Sequence, residues 1–169
     1  MTGVLLINLG TPDNPYPPAV RRYLAEFLAD PMVLDIPAVA RWMLLNLVIL
    51  PRRPKQSSEA YRKVWMEEGS PLLVHSEALR RELQAHLGQS YRVDLGMRYG
   101  QPSISDALTR LDAAGVDKIV VLPLYPQYAM SSTGTALADL YEDAAKRPIV
   151  PPFQVVPDFY DHSGYLDVA

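Results

Sequence analysis

The 169 residues contain no cysteine. That excludes a disulfide framework, a thiolate zinc site, a cysteine nucleophile and a protein-ligated iron–sulfur cluster, and it makes a cytoplasmic location the simplest expectation. Excess charge is also lacking: 16 Lys and Arg face 19 Asp and Glu, a formal net charge of −3, and no basic run exceeds a pair. Such a balance gives no electrostatic footprint for nucleic acid, so that class of partner is set aside. No long hydrophobic run is present either. The longest apolar segment, Ile36–Leu50, is broken by Pro37, Arg41 and Asn46 and falls short of the roughly 20 residues that span a bilayer. Met1-Thr2-Gly3 and the apolar run after it lack the basic region and cleavage pattern of a signal peptide, and no export is expected.

With 49% hydrophobic and 21% charged residues, the chain has the composition of one globular domain with a sizeable core. Proline is in excess, 16 residues against an average of about 5%, but it is scattered as punctuation rather than gathered in a tract. Four short aliphatic segments bounded by turn signals read as buried parallel strands: Val4–Leu9, Tyr91–Leu95, Lys118–Leu122 and Phe153–Val156. Helical patterns lie between them. Ala19–Leu28 places Val20, Tyr23, Leu24, Phe27 and Leu28 on one face and stops at Asp30-Pro31. Glu77–Leu87 ends at Gly88; Ser103–Ala114 opens with Ser103 as N-cap and Asp106 three residues on; Thr133–Ala145 stops before Pro148. This alternation predicts an α/β fold, a flavodoxin-like doubly wound parallel sheet.

In such a sheet the ligand sits beyond the carboxyl ends of the strands, where the strand order reverses. Asn8–Pro12, Gly96–Gly100 and Pro123–Thr135 are therefore the loops to inspect. The Gly-Thr-Pro turn after the first strand matches neither a dinucleotide fingerprint nor a phosphate loop. Ser131-Ser132-Thr133-Gly134-Thr135 resembles the phosphate loop of flavodoxins, yet it follows the third strand instead of the first, and a helix cap by Ser132 or Thr133 is the simpler reading. Arg52, Arg53 and Arg98 are expected where loops meet the sheet, suited to carboxylates or phosphates. Tyr61, Tyr99, Tyr125, Tyr128 and Trp65 suit the wall of a cleft for a flat apolar ligand, or the core. His75, His86 and His162 show no metal-ligand spacing, and Glu67-Glu68 before Gly69 reads as a solvated turn. Trp42–Leu50, closed by Pro51-Arg52-Arg53, is either a core helix or an apolar lip at an interface.

Six stretches in order carry a likeness to a known family: Leu5–Pro12, Val20–Asp30, Arg52–Lys55 with Tyr61, Trp65–Leu72, Gly96–Gly100 and Leu122–Tyr128. Together they resemble the N-terminal half of a ferrochelatase of the bacterial, cluster-free type. The resemblance implies that residues 1–169 form one α/β domain of a two-domain chelatase fold whose C-terminal half lies outside this chain. It implies a porphyrin and ferrous iron as substrates, in haem biosynthesis, with the choice between protoporphyrin IX and coproporphyrin III left open. Carried over by position, Leu9 lies against the macrocycle where other members have tyrosine or methionine. Tyr61 and Ser70 belong to the porphyrin cleft, Arg53 pairs with a propionate, Arg98 supports the pocket, Tyr125 lies on the metal side and Thr133 lines the pocket near the loop. Trp42–Leu50 becomes a lip with peripheral contact to the inner membrane.

The family's catalytic histidine motif and later glutamate are absent here, so no catalytic residue is assigned and His162, in Tyr160–Gly164, does not match. Met130 stands where some members have a cluster-binding cysteine. No cofactor and no resident metal are expected, iron being substrate. A non-catalytic flavodoxin-like module that binds a tetrapyrrole or flavin is the competing reading.

Overall fold

The computed structural model describes residues 1–156 and 158–168; the expected domain boundary at Ala169 lies outside them. Four parallel strands form one sheet: β1 (Thr2–Thr11), β2 (Tyr91–Gly100), β3 (Lys118–Pro123) and β4 (Phe153–Val155), in the order β2-β1-β3-β4. β1 is central, with Leu6 opposite Leu95 of β2 and Leu122 of β3. Each strand runs slightly longer or shorter than its apolar run, because backbone pairing continues through polar Asn8 and Thr11 while β4 stops at Val155.

Strand alternation divides the core into two layers. Leu5, Ile7, Ile119 and Val121 face helices α5 (Ile104–Ala113) and α6 (Thr135–Ala144), whose Leu108, Leu111 and Leu140 close that layer. Val4, Leu6, Val93, Leu95 and Met97 face the other way, against Leu73, Leu83 and Leu87 of α4 (Pro71–Leu87). Helices thus cover both faces of an all-parallel sheet, as the sequence pattern predicts. The strand order reverses between β1 and β3, and this is where a flavodoxin-like sheet opens a crevice.

The excursion between β1 and β2 holds α1 (Pro17–Ala29), α2 (Ala38–Met43), a π-helical turn (Leu44–Ile49), α3 (Leu50–Val64) and α4. α3 packs on α1. Arg52–Lys55 is therefore helical and not a loop, despite Pro54 inside it. Proline cannot donate to the carbonyl four residues back, and Arg21 Nη1 donates to that carbonyl instead, 2.6 Å from the Leu50 oxygen. The π turn widens the same stretch: the Leu50 N–H reaches back to the Leu45 carbonyl, and Asn46 Nδ2 donates to the Trp42 carbonyl at 2.9 Å. α4 begins at Pro71, six residues before the first residue of the expected pattern, with proline set in the first turn, where a missing N–H removes no helical bond.

Two termini test the capping expectations. Ser103 and Asp106 form the reciprocal box at the start of α5: the Asp106 N–H donates to Ser103 Oγ at 3.1 Å and the Ser103 N–H to Asp106 Oδ2 at 3.1 Å. α6 differs. It starts at Thr135 after a second π turn, Met130–Gly134, and no side chain caps it. Neither Ser132 nor Thr133 plays the expected role, because the chain enters the helix already wound and the Ser132 N–H turns back to the Ala129 carbonyl.

Candidate functional site

β1 delivers Leu9 and Gly10 to the crevice. Leu9 is half-buried and stands beside Arg98, between the register pairs Asn8–Met97 and Gly10–Tyr99. Gly10 has φ +108°, and a Cβ there would collide with the Tyr99 carbonyl oxygen, so only glycine lets the two strands run this close. Tyr23 of α1 seals the same end, its buried hydroxyl donating to the Gly10 carbonyl at 3.2 Å. At the strand's last residue, Thr11 Oγ1 donates to Ser70 Oγ at 2.8 Å. That bond fastens the start of α4 to β1, and Ser70 is buried by it.

The remaining phenols gather around Tyr23. Burial pushes its hydroxyl pKa up, and the neighbouring phenols of Tyr61, Tyr125 and Tyr99 push it further. Tyr61 lies edge-on to Trp65, with ring centres 6.1 Å apart, and burial raises its pKa. Burial also raises that of Tyr125, which packs into the α6-side core from the loop after β3. Tyr99 is pushed up to about 12, chiefly by burial. All four stay protonated at neutral pH, as neutral amphipathic surface with hydroxyl handles.

One of those handles is unpartnered, as is a threonine hydroxyl on the same connection. Among the described residues, no hydrogen bond reaches the buried hydroxyls of Tyr125 and Thr133, both on the β3–α6 connection. A buried hydroxyl without a partner costs about 1–3 kcal/mol, and such groups concentrate at functional sites. On the α4 side of the switch point, Asn8, Pro71, Leu72, His75, Ser76, Leu79 and Leu124 line a shallow, open and mostly apolar hollow of about 390 Å³. Asn8 Nδ2 donates to Ser76 Oγ at 3.1 Å, so the amide is held at the rim.

Leu9, Ser70, Tyr61, Tyr125, Thr133 and Arg98 therefore cluster at one end of the sheet. Arg98 is committed to structure: Nη2 donates to Asp30 Oδ2 at 2.8 Å, Nε to Thr135 Oγ1 at 2.8 Å, and the guanidinium lies 4.4 Å from the Tyr99 ring centre. Arg53 is the exception. It projects exposed from the first turns of α3, as does Arg52, not from a loop meeting the sheet, because the π turn and Leu50 carry the chain directly into helix. The sequence reading missed Asp30 and Thr135 as partners of Arg98. Asp30-Pro31 signalled only a helix stop, and nothing local announces that a terminal aspartate is buried.

The π-turn segment has an exposed apolar face: Trp42 and Leu47 are each 61% exposed, beside Met43, Leu44 and Val48, while Leu45 and Leu50 anchor it inward. Among the described residues, no helix is long and apolar enough to cross a membrane. Among the described residues, no three His, Cys, Asp or Glu side chains come together to hold a metal ion. The three histidines are exposed, with His162 Nδ1 accepting from the Gly164 N–H at 3.2 Å.

An all-parallel sheet ordered 2-1-3-4, with helices on both faces and phenols gathered at the carboxyl ends of its strands, defines an α/β domain of the flavodoxin-like class. A family model described as Ferrochelatase matches residues 1–169, and the chain belongs to that family. It is 50% identical over 165 residues to a ferrochelatase of Coxiella burnetii (strain RSA 493 / Nine Mile phase I), covering 98% of this chain and 46% of the relative. Similar proteins include the ferrochelatases of Thioalkalivibrio sulfidiphilus, 48% identical over 169 residues, and Chromobacterium violaceum, 45% identical over 169, with the same coverage. The chain thus spans about half the length of the curated relatives it matches.

Proposed function

We propose that this chain supplies one wall of the porphyrin cleft of a ferrochelatase, which inserts ferrous iron into protoporphyrin IX or coproporphyrin III in haem biosynthesis. Beyond family membership, the observation that carries the reading is the pair of buried, unpartnered hydroxyls of Tyr125 and Thr133 beside the phenol cluster at the switch point. Leu9, Tyr61 and Ser70 would meet the macrocycle, Tyr125 its metal side and Arg53 a propionate, with Thr133 lining the pocket near the loop and Arg98 holding the frame. No resident cofactor is assigned; iron enters as substrate, and a chain without cysteine offers no thiolate to a cluster.

Metal insertion requires the pyrrole nitrogens to lose two protons and to turn their lone pairs out of the ring plane. A rigid wall contributes by favouring the puckered ring. Proton removal needs a base, worth a factor of about 10² to 10⁴. Among the described residues the buried phenols are held protonated and the histidines are exposed, His75 at the rim of the α4-side hollow, while the carboxylates of Asp13 and Glu26 line a hollow beside Tyr23 and Gly100. We assign the base to the portion of the relatives that this chain does not match, and expect the chain alone to be inactive. The exposed Trp42–Leu50 face is proposed to rest on the inner membrane from the cytoplasmic side, where a poorly soluble porphyrin is exchanged.

Porphyrin titrated into ¹⁵N-labelled chain tests the wall directly. Ring currents should move the amide resonances of Leu9, Ser70, Tyr125 and Thr133 and leave Asp112–Lys118, at the opposite end of the strands, in place. Shifts centred on Asp112–Lys118, or none at any site, would contradict the assignment.

A further inference from the structure

Asp30 ends α1 and is only 8% exposed, yet its carboxylate takes four donors from three directions. The Met32 N–H donates at 2.7 Å, Arg98 Nη2 at 2.8 Å and the Tyr99 hydroxyl at 2.8 Å; the Thr135 hydroxyl is the fourth. Arg98 Nε donates in turn to Thr135 Oγ1 at 2.8 Å and to the Thr135 carbonyl at 3.1 Å. Thr135 is the first residue of α6, directly after the Met130–Gly134 turn. That turn is gripped from a second side: a Cβ at Gly134 would lie 3.1 Å from Tyr128 Oη and 3.4 Å from Met32 Cε. The backbone N–H of Met32 is itself bound to Asp30. Within the turn sits Thr133, fully buried with its hydroxyl unpartnered.

We propose that Asp30 is a positioning residue for the cleft, locking the Met130–Gly134 turn against β2 through Thr135 and Met32 and so fixing where Thr133 and the Tyr125 loop meet the porphyrin. The proposal rests on the porphyrin reading of that loop. Asp30 itself acts only through its neighbours. A wall that shifts by an ångström leaves the porphyrin bound but misaligned, which affects the insertion step more than binding.

The test uses the protein at the length of its relatives, with Asp30→Asn, Thr135→Val and Thr135→Ser, and Asp94→Asn as control. Asp94 is as buried as Asp30 and meets Arg110 through both carboxylate oxygens, at 3.0 Å each from Nε, but in mid-strand. Assayed well below each thermal midpoint, Asp30→Asn and Thr135→Val should lower kcat roughly 10- to 100-fold with porphyrin KM changed less than about threefold. Thr135→Ser, which keeps the hydroxyl, should restore it, and Asp94→Asn should lose thermal stability while keeping kcat. Unchanged kcat in folded Thr135→Val, or an equal loss in Asp94→Asn, overturns the proposal. Should the unmodified protein insert no metal, the porphyrin reading fails separately. The clamp is then judged by the Thr133 and Tyr125 amide resonances of the labelled chain, which Asp30→Asn must displace although residue 30 lies 105 positions from Thr135; unmoved resonances overturn it.

Discussion

Arg53 and Asp30 are two charges in opposite settings. Burial pushes the Asp30 carboxyl pKa up, but hydrogen bonds from Thr135, Tyr99 and Met32 and the charge of Arg98 outweigh it and hold the group below its ordinary value. It stays ionised and fixed. Arg53 is exposed on α3, free to pair with a carboxylate arriving from solvent. A propionate contact is alike in the ground and transition states, so in the protein at its relatives' length Arg53→Ala should raise porphyrin KM and spare kcat. About tenfold in KM is expected, the loss of one charge-assisted hydrogen bond worth about 1.5 kcal/mol. Steady-state insertion kinetics check this, and a collapse of kcat at constant KM would remove Arg53 from the propionate. The stretches that hold Arg53, Tyr61, Ser70 and Tyr125 were legible in the sequence as marks of the family. Asp30 and Thr135 were illegible because their meaning lies in a contact between residues 105 apart in the chain.

At the scale of elements, strands were the easiest to read, since a parallel strand buried on both faces is a continuous aliphatic run. The Ser103–Asp106 box was equally plain. Helix starts were not: Pro71 and Pro54 look like breaks until the first-turn position of one, and the Arg21 substitute donor for the other, are seen. The two π turns have no sequence signature. The Leu44–Ile49 turn leaves Trp42, Leu44 and Leu47 facing solvent. If that face rests on lipid, Leu44→Ser with Leu47→Ser should reduce sedimentation with anionic vesicles and move the thermal midpoint little. A truncated core leucine costs about 2–5 kcal/mol, so a large fall in the midpoint, without vesicle binding by the unmodified protein, would mark the segment as core.

For the whole molecule, the parallel sheet, its two helical layers and the reversal between β1 and β3 bring Leu9, Ser70, Tyr61, Tyr125 and Thr133 to one end of the sheet, where the Asp30–Arg98–Thr135 network also lies. The central claim is a division of labour: binding and ring geometry from these residues, deprotonation from the portion of the relatives not matched here. Zinc or ferrous insertion into a porphyrin, followed by loss of the free-base spectrum, tests it most directly with the chain alone and with that remaining portion supplied. The free-base spectrum should persist with the chain alone and disappear once both halves are present. Substantial turnover by residues 1–169 alone would contradict the account and return attention to His75, the one histidine at the rim of the α4-side hollow.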